Sequence, residues 1–286
     1  MRIHFVLQRA LLAASLSVAA LTASAGSVFV TGHDPIWHAG NGGNNAPGAT
    51  NLARIGIDYA RNGSVLPFLF IESKTTPVPS GNTHTASFLT SALGYSSGSY
   101  QVMDAAGLAP VGATFGSFLS GFSAIVVASD HGGMLGAAEL GFLNSHVNDI
   151  IGFLNAGGGL YAEAESNAVG LIGATPRFGF LPFLVSSADF SASEVGNTVT
   201  AFGAGLGLVA NDINGNFSHN FFSSTGGMSA VDLFNGDPNR PLTLAFRGQI
   251  DVGGVVPGIP EPETYAMLLA GLGLVGAAAR RRKKRQ

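Results

Sequence analysis

The run Phe122-Ser123-Ala124-Ile125-Val126-Val127-Ala128 constrains the fold more than any other part of the chain. Apart from Ser123 it is a continuous apolar run, which is the pattern of a strand covered on both faces. It ends abruptly in Ser129-Asp130-His131-Gly132-Gly133. From about Ala137 to Asn155 the apolar positions Leu140, Leu143, Val147, Ile150 and Leu154 recur at steps of three and four, predicting one long helix. Gly157-Gly158-Gly159 stops that helix, and Leu160-Tyr161-Ala162 follows as another strand, ending in Glu163-Ala164-Glu165.

The same alternation runs through the first half of the chain. Ser27 to Thr31, Pro67 to Ile71 and Tyr100 to Met103 read as strands. Ala49 to Tyr59 and His84 to Leu93 read as helices. Doubly buried strands alternating with helices predict an α/β domain: a mostly parallel sheet with helices on both faces. From about Phe178 the pattern changes, and Thr198-Val199-Thr200 and Leu242 to Phe246 read as added strands.

The order of strand, long helix, Gly157-Gly158-Gly159 and strand resembles the flavodoxin-like fold of class I glutamine amidotransferase-like proteins, trehalose-utilisation-type domains included. The resemblance covers roughly residues 27–250. It implies a nucleophilic cysteine just after the strand that here reads Leu160-Tyr161-Ala162. This chain has Ala162, Glu163 and Ala164 there and no cysteine anywhere. Glutamine hydrolysis by that mechanism is excluded, and so are disulfides.

The two ends read as addresses rather than fold. Arg2 and Arg9, an apolar run from Ala10 to about Leu21, and an Ala23-Ser24-Ala25 site form a secretory signal peptide over 1–25, cleaved by signal peptidase after Ala25. Residues 26–256 form the exported domain, and 257–264 a proline-rich linker. An apolar segment over 265–279 follows, predicted as a transmembrane helix, and the basic tail spans 280–286. Fifteen residues at about 1.5 Å each reach roughly 22 Å, short of a hydrocarbon core of about 30 Å. Snorkelling side chains and local thinning can make up the difference. Arg280, Arg281, Arg282, Lys283, Lys284 and Arg285 would stay on the cytoplasmic side, leaving the body in the periplasm.

Pro260-Glu261-Pro262, an apolar helix and a terminal basic cluster together resemble the PEP-CTERM sorting signal. What the resemblance implies is an exosortase as processing partner, a cut near the motif, and passage from the inner membrane to the cell surface or an exopolysaccharide matrix.

Between Gly26 and Ile259 six basic residues stand against fifteen acidic ones, a net charge of −9. Such a body repels nucleic acid and leaves neutral glycans and divalent cations as ligands. In a parallel sheet, ligands bind at the carboxyl edge of the strands. That edge would carry His33 and Asp34, Glu72, Asp104, Asp130 and His131, and Glu163 and Glu165. The catalytic candidates are His33, Asp130, His131 and Glu163, with His38 and His219 able to reach the rim from loops. Imidazoles and carboxylates can hold a divalent metal or move protons; no other cofactor is expected. His33-Asp34-x-x-x-His38 has the spacing of helical ligands, but Pro35 and the Gly-rich sequel argue for a loop. The same acids can equally cap turns and helix starts. Three readings stay open: a non-catalytic exported domain, a metal-assisted or acid–base hydrolase acting on a saccharide or other polar substrate, and a structural matrix protein.

Overall fold

The computed structural model describes residues 25–74, 83–165, 177–193, 195–215, 217–251 and 254–255. The expected signal peptide up to Ser24, the sorting motif, the apolar segment over 265–279 and the basic tail lie outside them. Among the described residues no helix is long and apolar enough to cross a membrane.

Five strands form the parallel part of the main sheet: β1 (Gly26–Thr31), β2 (Phe68–Ile71), β3 (Tyr100–Met103), β4 (Ala124–Val127) and β5 (Gly159–Ala162). Successive side chains point to opposite faces. Val28, Val30, Leu69, Ile71, Ile125, Val127 and Leu160 enter one apolar core; Phe29, Phe68, Phe70, Val126 and Tyr161 enter the other. Helix α1 (Pro35–Asn41) and helix α2 (Ala46–Arg61) cover the second face, where α2 buries Leu52, Ala53, Ile57 and Ala60. Helices α3 (Ala137–Ser145) and α4 (Val147–Asn155) cover the first with Leu140, Leu143, Ile150 and Leu154. The expected three-layer α/β architecture is therefore present.

The strand order differs from expectation. It runs β3-β2-β4-β5-β1, whereas a flavodoxin-like sheet runs 2-1-3-4-5. The two coincide only if the first strand of this chain is counted last. The cause is the first crossover: α2 packs across β1, β5 and β4, so the chain returns to the sheet three positions away, at β2, with β5 and β4 between.

The second half adds antiparallel strands to the same sheet. β10 (Pro241–Gly248) pairs with β1, β9 (Ser229–Leu233) with β10, and β7 (Thr198–Val199) with β9. A separate ribbon of β6 (Val185–Ser193) and β8 (Phe217–Thr225) completes the body. Ala25–Pro257 is a single compact unit, so the segment after Phe178 belongs with the parallel strands.

Two helix expectations need correction. The stretch 137–155 is two helices, because His146 leaves helical backbone at φ −115° and ψ 25°. Its ring nitrogens meet the carbonyl oxygens of Phe142 and Gly112, at 2.8 and 3.2 Å. The helix expected over 84–93 shrinks to Phe88–Ser91. The chain before it is bound to Glu72, whose carboxylate accepts from the Thr85 N–H and hydroxyl at 2.6 Å and from the Ala86 N–H at 2.9 Å.

Candidate metal centre

The carboxyl edge of the sheet sorts its polar residues into anchors and a cluster. Glu72 is an anchor, as just described. Asp104 caps the short helix Ala105–Leu108 by accepting from the Gly107 N–H at 2.9 Å. Glu165 accepts from the Phe178 N–H, tying down the chain that leads to β6. Burial, and then the Asp130 charge, push the Glu165 carboxyl well above the usual carboxylate range.

The loops after β1, β4 and β5 are stitched to one another. The Ala164 N–H donates to the His33 carbonyl at 3.0 Å, and the Asp130 N–H donates to the Ala164 carbonyl at 3.1 Å. The Ser129 hydroxyl donates to the same carbonyl and accepts from the N–H groups of His131 and Gly132. This frame presses Gly132 against Asp34, so that a Cβ at 132 would lie 1.9 Å from Oδ2.

Asp34 and His38 come from one turn of helix. Pro35, which reads as a loop signal, is the first residue of α1, a position where its missing N–H costs nothing and its fixed φ suits the helix. Asp34 and His38 are therefore four residues apart on one helical face, and His38 Nε2 lies 3.1 Å from Asp34 Oδ1. The third member arrives on β8. The N–H groups of His219 and Asn220 both donate to the Gly32 carbonyl, at 2.8 and 3.2 Å. Only a glycine at 32 permits this approach, since a Cβ there would lie 2.0 Å from the Asn220 carbonyl oxygen. His219 Nε2 then stands 3.3 Å from the same Asp34 Oδ1.

Asp34, His38 and His219 are all buried, and one ligand-capable atom from each lies within 4.8 Å of the others. Burial pushes the Asp34 carboxyl up, but the imidazoles of His219 and His38 outweigh it and hold the group below the usual carboxylate range. His131, exposed, stacks on His219 with ring centroids 3.7 Å apart. Partial desolvation where the ring meets the cluster, and then the neighbouring His219, push its pKa down.

Glu163 sits beside this group. It accepts from the Ile36 N–H at 3.0 Å and from the Tyr161 hydroxyl at 2.9 Å. Burial, reinforced by the Asp34 charge, pushes its carboxyl up to about 8.

Of the sequence candidates, His131 and Glu163 therefore border the cluster. His33 is used differently: its Nε2 meets Asp232 Oδ2 at 2.9 Å, both residues being buried. Asp130 is fully buried in the inter-loop frame, where its charge acts on the neighbouring Glu165 carboxyl. The residues that converge best, Asp34, His38 and His219, were secondary in the sequence reading. Two imidazoles and a carboxylate are donors suited to zinc and related divalent metals.

The decisive comparison concerns the C-terminus. Residues 258–283 match the PEP-CTERM protein-sorting motif. The motif marks an exported, envelope-associated protein that an exosortase processes. Comparison with curated proteins gives no match. The expected amidotransferase-like kinship of the body thus gains no support from sequence relatives.

Proposed function

We propose that this PEP-CTERM protein delivers a folded, non-catalytic α/β domain to the cell surface or an extracellular polysaccharide matrix. Signal peptidase removes 1–25, the apolar segment 265–279 holds the chain in the inner membrane, and the basic residues 280–285 face the cytoplasm. Exosortase then cuts near Pro260-Glu261-Pro262 and frees the body. The observation that carries this reading is the sorting motif over 258–283. The non-catalytic part rests on the sequence alone: the chain has no cysteine, and so no cysteine nucleophile.

The test is to replace Pro260, Glu261 and Pro262 together by Ala in a host that carries an exosortase, and to measure intact mass and location. The parent chain should lose its basic tail and leave the membrane fraction. The variant should keep the tail and stay there. A parent chain that retains its tail at the surface would overturn the sorting mechanism.

A second reading, a metal-assisted or acid–base hydrolase of a saccharide or other polar substrate, is favoured by one observation. Glu163 is a carboxyl held protonated near neutral pH beside an ionised Asp34, the kind of contrast that separates an acid from a base.

A further inference from the structure

We propose that Asp34 Oδ1, His38 Nε2 and His219 Nε2 form a mononuclear binding site for a divalent transition metal of the zinc class. The inference is independent of the sorting reading and requires no catalysis.

The argument begins with what the three side chains fail to do. Asp34 Oδ1 lies 3.1 Å from His38 Nε2 and 3.3 Å from His219 Nε2. At those distances a hydrogen bond needs an N–H aimed at the oxygen. Neither contact has that alignment: among the described residues Asp34 Oδ1 and His219 Nε2 are buried with no hydrogen-bond partner. Leaving such atoms unsatisfied in a protein interior is costly. One ligand-capable atom from each of Asp34, His38 and His219 lies within 4.8 Å of the others, an arrangement suited to ligands that share a cation.

The spacing agrees. Zinc–nitrogen and zinc–oxygen bonds are about 2.0–2.1 Å, so a tetrahedral angle separates two ligand atoms by about 3.3–3.4 Å. The separation of Asp34 Oδ1 from His219 Nε2 has this length, and that from His38 Nε2 is slightly shorter. The support around the site is built for position. Gly132 packs against Asp34 on its Oδ2 side, where no larger residue fits without displacing the carboxylate or the loop. The i, i+4 geometry of α1 fixes His38 against Asp34, and the paired bonds to the Gly32 carbonyl fix the β8 backbone at His219. Three protein ligands leave a fourth position for water or an exogenous ligand, as in sites with an open coordination position.

The experiment uses the full-length chain, purified without a histidine tag and dialysed against Zn2+. Elemental analysis should find about one zinc per chain. Cobalt substitution should give the intense visible bands of a four-coordinate site. His38→Gln and His219→Gln should each lower Zn2+ affinity by at least about a hundredfold, beyond what loss of an outer contact usually costs, with circular dichroism unchanged. A parent chain that binds no zinc, or folded variants that bind it as tightly as the parent, would overturn the site. If the variants do not fold, X-ray absorption of the zinc-loaded parent decides. Two imidazoles with an oxygen donor support the assignment, and a shell lacking imidazole overturns it.

Discussion

Gly132 and Asp34 are packed so closely that the glycine has no room for a side chain: a methyl group there would stand 1.9 Å from Asp34 Oδ2 and 2.8 Å from Trp37 Cβ. Gly132→Ala must therefore displace either the carboxylate or the loop after β4. Overpacking of this kind costs about 1–3 kcal/mol. Urea denaturation should show that loss, and zinc titration of the same variant should show weakened binding. A variant as stable as the parent would mean that the loop yields without strain.

Glu163 gives a prediction in pH. Its ordinary value of 4.5 is raised to about 8 in the folded chain, so the native state holds this proton more tightly than the unfolded state does. The resulting stabilisation is complete below about 4.5 and is lost as pH rises through about 8. In chelator, unfolding free energy should fall across that window, and Glu163→Gln should flatten the fall. An unchanged slope in the variant would assign the pH dependence to other groups.

His33 and Asp232 form a buried pair, linking the chain just after β1 to β9. His33→Ala removes the partner of Asp232 Oδ2 and should cost about 1–3 kcal/mol in thermal or urea unfolding. It should leave zinc stoichiometry unchanged. Loss of metal in a folded His33→Ala chain would move His33 from scaffold to ligand.

Asp104 is a helix cap. Asp104→Ala should lower stability by about 1 kcal/mol and leave zinc affinity as it is. A calorimetric melt and a zinc titration on one sample check both halves of the statement.

The parallel half of the fold was legible because its strands announce themselves. Runs such as Phe68–Ile71 and Ala124–Val127 are buried on both faces, so apolar composition and position coincide. β8 gives no such signal. Phe217-Ser218-His219-Asn220-Phe221 mixes polar and apolar residues, and its partner β6 begins 32 residues earlier, at Val185. Nothing local shows that β8 will meet Gly32, so His219 could not be placed beside Asp34 in advance. Asp34 and His38 were readable by spacing. The error lay in treating Pro35 as a breaker, although a proline directly after a capping-type residue is also how helices begin. The acids do lie just after the strands that the sequence marks, but their division into caps, anchors and members of the buried cluster depends on which backbone N–H lies opposite each one. That is a tertiary property.

The placement of β1 has a consequence for how the chain crosses a membrane. β1 lies between β5 and β10, and its Thr31 hydroxyl shares a hydrogen bond with Thr243, 212 positions along the chain. A strand that leaves a translocon first therefore waits for the last long strand before its second edge is covered. Contacts of such long range form late and slowly. The sheet cannot close around β1 until β10 has been delivered, and until then that strand presents an open edge.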